Sequence, residues 1–274
     1  ADSAEEVQGV LAHELGHVMG GHAIRVNEGA KTATGISLLS LLLGAAAIAA
    51  GAGEAGMGVM MAGQQAALGK FLAFSRVQES TADAAGAQYL STAGISGRGS
   101  LAFFKKLQNL EFRYGVKQDD DQAYGRTHPM SGDRIQTLRE VYVIDPAWEK
   151  PADPKIEARF QRIKAKLSGY MAEPERTLRK FPESNSSIPA RYARAYAWHK
   201  SAYPQKALTE VEGLLASNPS DPYFLELEGQ VLLESGRPKE AIPALRKAVS
   251  LSRSQPLISA TLGHALIATE DPAN

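Results

Sequence analysis

Between Thr32 and Gly53 the chain carries no charged residue, and apolar or small side chains run almost unbroken through "ISLLSLLLGAAAIAA". Such a run is long enough to suggest a membrane-spanning helix. A second apolar stretch follows directly, and the glycines between Gly51 and Gly56 mark a turn. The pattern therefore predicts a helical hairpin with arms Ile36–Ala50 and Ala55–Gly69, each about 22 Å long at 1.5 Å per residue. Upstream, Ser3 is placed to cap a helix with Glu5 and Glu6 in its first turn, and Gly20 with Gly21 ends it. Downstream, "FSRVQESTADAAG" reads as helix, another helix falls near Gly99–Arg113, and "KQDDDQAYG" reads as a solvated acidic loop.

The pattern changes after "DPAWEKPADP", where three prolines separate two helical regions. Beyond it the chain repeats itself. "SAYPQKAL" and "SGRPKEAI" align at an offset of 34 residues, which also relates Pro222 to Pro256 and Gly229 to Gly263. That is the period of tetratricopeptide (TPR) helix pairs, in which small residues such as Gly229 and Ala241 let two helices pack closely. The expected organisation is a first domain over 1–147, a linker and first helix pair over 148–187, and TPR repeats over 188–274.

Composition narrows the chemistry. Thirty basic residues balance thirty acidic ones, so no concentrated positive field points to nucleic acid. With no cysteine, any metal must be held by His, Asp or Glu. The N-terminal stretch has no basic start or apolar core of a signal peptide, so the natural protein is expected to extend further upstream.

"VLAHELGHVMGGH" supplies candidate ligands. Residues four apart lie about 40° apart around a helix, so His13 and His17 share a face one turn apart. Glu14 lies about 100° from His13, where it reaches a water on a bound ion without being a ligand, as a peptidase general base must. His22 falls about 140° from His17 beyond the two glycines and is expected to be an exposed or capping residue. A catalytic zinc needs a third protein ligand. Glu79 and Asp83 share another helix face, so Glu79 can bind the metal while Asp83 orients a ligand histidine.

Taken in order, "HELGH", "SRVQESTAD" and "THPMSGDRI" resemble the signatures of the gluzincin peptidases that include the CAAX prenyl protease and the BepA-like periplasmic proteases. The resemblance covers most of residues 1–145. It implies that His13, His17 and Glu79 are the ligands of a Zn²⁺ ion, Glu14 the catalytic base and Asp83 a supporting residue. It also implies that His128 occupies the fourth zinc position in a latent state and that Arg134 contacts substrate or the oxyanion. Family members carry strands just upstream whose edge pairs with extended substrate, and this sequence starts after them.

A shared ion also constrains the apolar run, because a single membrane crossing would leave His17 and Glu79 about 30 Å apart. The segment must turn back, as a hairpin beside the cleft, with a peripheral membrane contact left open. The expectation is a mainly helical, N-terminally truncated zincin-type metallopeptidase domain followed by an α-solenoid of TPR helix pairs. By resemblance it is a zinc metalloendopeptidase of the bacterial periplasm or envelope. It would act on protein or unfolded peptide in quality control, with a protein partner on the repeats. The alternative is a non-proteolytic or latent TPR adaptor or chaperone on the same scaffold.

Overall fold

The computed structural model describes residues 1–113, 132–253 and 255–269. The acidic loop and His128 lie outside the described residues. Among these residues there are twelve helices and no strand, in two compact units, Ala1–Glu157 and Ala158–Asn274.

The first unit begins with α1 (Ala4–Met19). Ser3 caps it, its hydroxyl accepting the Glu6 amide at 3.2 Å while the Glu6 carboxylate accepts the Asp2 amide at 2.7 Å. α2 (His22–Ala49) and α3 (Gly53–Ala93) form the antiparallel hairpin. Its helices are longer than the apolar pattern alone suggests, because the second apolar arm and the Glu79–Asp83 segment are one continuous 41-residue helix. α4 (Arg98–Arg113) and α5 (Gly132–Val143) complete the unit. Ala12, Leu90, Leu101, Phe104, Leu138 and Tyr142 bring α1, α3, α4 and α5 into one buried core.

The α1–α3 crossing is made of small residues, and this positions the site. A methyl group at Gly16 would stand 2.6 Å from the Ala82 carbonyl oxygen, and one at Gly86 would stand 3.1 Å from Ala12. The two backbones are therefore in contact. Side chains within a turn of these contacts, His13 and His17 on α1 and Glu79 and Asp83 on α3, are drawn together across the same crossing.

α6 (Pro154–Met171), which belongs to the second unit from Ala158 onward, and the short α7 (Pro174–Lys180) precede a regular series. α8 (Ile188–Lys200) and α9 (Pro204–Ser217) recur 34 residues later as α10 (Pro222–Glu234) and α11 (Pro238–Leu251), and α12 (Pro256–Ala268) begins at the same offset again. Proline in the first turn sets each start, since it lacks only an amide that would be unpaired there. Gly229 admits the Leu245 side chain so closely that a methyl group in its place would stand 2.3 Å from Leu245 Cγ. This region is a helical-repeat array. Within it Arg194 is buried and bonded to Glu210 at 2.6 and 2.9 Å and to the carbonyls of Pro182 and Asn185 at 2.8 Å each.

Candidate metal centre

His13 and His17 point their Nε2 atoms at one another, 3.1 Å apart. The Glu79 oxygens lie 3.5 Å from His13 Nε2 and 3.4 Å from His17 Nε2. For metal–ligand bonds of about 2.0–2.1 Å, neighbouring ligands of a tetrahedral zinc are about 3.3–3.4 Å apart. The spacing of this donor set therefore fits zinc, and its nitrogen and carboxylate chemistry fits as well. Glu14, one position beyond His13, is half-buried.

Each imidazole is also held from behind. His13 Nδ1 lies 2.9 Å from Asp83 Oδ1, and the Phe104 ring meets the His13 ring edge-on at 5.5 Å. His17 Nδ1 lies 2.9 Å from His22 Nδ1, and the other nitrogen of His22 is 3.2 Å from the Thr81 hydroxyl. The expected exposure of His22 is thus corrected: its residue is only 6% exposed. The interruption at Gly20–Gly21, with Gly21 in the left-handed region at φ 62°, redirects the chain so that His22 returns over His17. A methyl group at Gly20 would stand 2.5 Å from His22 Nε2, so the ring requires that glycine. The signal was present as a histidine directly after a glycine pair, but helical spacing cannot anticipate where a broken helix resumes.

Arg134 on α5 grips the two carboxylates. Its Nε and Nη2 donate to Asp83 at 2.7 and 2.9 Å, and its Nη1 is 3.0 Å from Glu79. Burial alone would raise the Asp83 pKa, but hydrogen bonds from His13 and Arg134 outweigh it and hold the carboxyl below its ordinary value. Burial likewise opposes a charge on His13, yet Asp83 and Glu79 overcome it and push its pKa up to about 9. Beside the cluster, α3 and α5 enclose a cavity of about 640 Å³ lined by Leu72, Arg76, Glu79, Asp83, Arg134 and Val141 among others.

Residues 1–142 match the sequence model of peptidase family M48. The chain belongs to peptidase family M48. The match extends to Tyr142, the last buried residue of α5, and so includes every helix that builds the cluster. The beta-barrel assembly-enhancing protease of Yersinia pestis is 25% identical over 285 residues, covering 99% of this chain and 56% of that protein. The protein of the same name from Escherichia coli K12 is 23% identical, with 99% and 55% covered. Metalloprotease LoiP of Escherichia coli K12 is 35% identical over 138 residues, 49% of this chain and 48% of LoiP. The chain spans about half the length of these curated relatives.

Proposed function

We propose that this M48 chain is a zinc-dependent metalloendopeptidase acting on protein or unfolded-peptide substrates, with its helical repeats serving as TPR modules that hold a protein partner. One observation carries the reading: two imidazoles and a carboxylate converge at the edge lengths of a zinc tetrahedron, beside a half-buried glutamate. His13, His17 and Glu79 would hold the ion, with Asp83 behind His13 and His128 as the candidate fourth ligand. When bound, zinc supplies Lewis-acid polarisation of the scissile carbonyl and raises the acidity of water. Glu14 accepts a proton from the attacking water and later delivers it to the leaving amine. Arg134 fixes Asp83 and Glu79 and forms part of the cavity wall that a peptide carbonyl would meet. The names of the relatives, which include beta-barrel assembly and protease, support a setting in the periplasm or envelope and a role in protein quality control.

The test is zinc stoichiometry measured beside cleavage of unfolded casein. Wild type is expected to hold about one zinc per chain. Glu14→Gln should retain that zinc while its cleavage rate falls by a factor of about 10²–10⁴. Loss of zinc in Glu14→Gln would make Glu14 a ligand and overturn these assignments. A zinc-loaded wild type without Glu14-dependent cleavage would favour the adaptor reading.

A further inference from the structure

The α2–α3 hairpin is packed the wrong way round for water. Along most of the length over which two soluble helices meet, large apolar side chains face inward. Here the buried positions are Gly29, Ser40, Gly44, Gly56 and Ala67. A methyl group on Gly44 would stand 2.6 Å from the Gly56 carbonyl oxygen, and one on Gly63 would stand 2.0 Å from Ser40. This small-residue seam resembles the close packing of helices in lipid, where no hydrophobic drive brings large side chains between them.

Ile48, Met60 and Phe74 lean into the seam against Gly56, Gly44 and Gly29, but most of the large apolar side chains are outside. Leu38, Leu39, Leu41, Leu42 and Leu43 are 41–70% exposed, and Met57, Val59, Met61 and Leu68 are exposed on the other arm. Five such residues within six positions point in most directions around α2, because each step turns about 100°. A folded partner would cover one stripe. An occupant that meets every outward direction is a surrounding medium, and its chemistry is that of hydrocarbon.

Charge sets the depth. From Thr32 to Gly69 the only charged residue is Glu54, at the turn. The contacts of Gly29 with Phe74, Ser40 with Gly63 and Gly44 with Gly56 give a register in which Lys31 lies within a turn of Lys70, and Arg25 within a turn of Arg76. All four basic residues are exposed. The uncharged arm from Thr32 to Ala49 is about 27 Å long at 1.5 Å per residue, close to the roughly 30 Å of a bilayer's hydrocarbon core. Gln64 and Gln65 lie about 8 Å along the helix from Lys70, on the interfacial side.

We propose that this hairpin inserts into a lipid bilayer, with Lys31, Lys70, Arg25 and Arg76 at the phosphates of an anionic leaflet and Glu54 at the far interface. The small-residue seam supplies the helix–helix contact, the outward leucines meet acyl chains, and the basic pairs meet the headgroups. Inserted this way, the hairpin would tether the metal centre at the membrane surface through α3, which carries both Lys70 and Glu79.

The test uses the full chain and vesicles of phosphatidylethanolamine and phosphatidylglycerol. Both tryptophans, Trp148 and Trp198, lie outside the hairpin, so each can be replaced by Phe and Leu42→Trp introduced as a reporter. The chain should float with vesicles, and the Trp emission should shift to the blue and be quenched at least twofold by lipids brominated in the acyl chain. Leu39→Asp with Leu42→Asp should remove flotation while helicity and zinc content stay at wild-type levels, which separates this result from failure of the metal site. Lys31→Glu with Lys70→Glu should weaken binding to anionic vesicles at least tenfold. Failure to float, or flotation without acyl-chain quenching, would overturn the proposal. So would a lipid-free dimer in which the reporter is already buried and stays unquenched by vesicles, since a second copy would then be the occupant.

Discussion

Removing His22 tests whether the metal centre depends on a residue that holds a ligand histidine from behind. Because His17 presents Nε2 to His13 and Glu79, its Nδ1 must carry the proton if the facing nitrogen is to bind metal. That proton is then donated to His22 Nδ1 at 2.9 Å. His22 Nε2–H donates in turn to the Thr81 hydroxyl at 3.2 Å, and Thr81 donates to the Gln78 carbonyl at 2.9 Å. One assignment of protons satisfies the whole chain. In His22→Leu the volume is roughly kept but the acceptor is gone, leaving a part-buried donor without its partner at a cost of about 1–3 kcal/mol. The ring would also be free to take the wrong tautomer. The same range, a factor of about 5 to 150 in affinity, brackets the 10- to 100-fold loss typical when a supporting partner of a metal ligand is removed. Zinc affinity is read by competition with a chromophoric chelator, and circular dichroism checks that the chain stays folded. His22→Gln, whose amide oxygen can accept and whose nitrogen can donate, should recover much of the loss. The reasoning is wrong if His22→Leu binds zinc within twofold of wild type, or if His22→Gln is no better than His22→Leu.

Gly16→Ala should separate the metal centre from overall stability. Its new methyl group meets Ala82 at 2.6–2.9 Å, so α1 and α3 must part by about 0.5–1 Å, whereas metal sites tolerate about 0.2 Å. Overpacking of about 1–3 kcal/mol is partly offset by about 1 kcal/mol of helix propensity, so zinc affinity should drop more than tenfold with less than about 2 kcal/mol lost in chemical unfolding. For metal-free protein, the raised His13 pKa predicts stability that is fully present below pH 6.5 and lost as the pH rises towards 9. The full change is at most about 3 kcal/mol, seen as a falling thermal midpoint that zinc loading abolishes, because the ring binds metal in its neutral form. In the repeat unit, Glu210→Ala leaves the buried Arg194 without its carboxylate and should cost about 3–5 kcal/mol, detectable as a shift of more than about 10 °C in thermal unfolding. An unchanged midpoint would mean that the carbonyls of Pro182 and Asn185 suffice for that guanidinium.

Several features were determined by local physics and could be read from the chain alone. Ser3 caps α1 because a hydroxyl preceding a helix meets its free amides. His13 shares a face with His17, and Glu79 with Asp83, because four residues make about one turn. The 34-residue offset recurs in the helix starts at Ile188, Pro222 and Pro256 because each pair obeys the same turn and packing chemistry. Other features depend on where backbones meet. Gly16 and Gly86 decide how closely α1 approaches α3, and only that approach puts Glu79 within 3.5 Å of two imidazoles. His22 is distant from His17 on an ideal helix and adjacent to it once the chain breaks and resumes. Arg134 reaches Asp83 across 51 positions, a distance over which spacing carries no direction. The apolar run pointed to a helical hairpin with membrane contact left open, but which leucines face outward was decided only once folding placed Gly29, Ser40, Gly44, Gly56 and Ala67 in the seam. Periodicity reports which residues share a face, whereas what that face meets depends on the packing of distant segments.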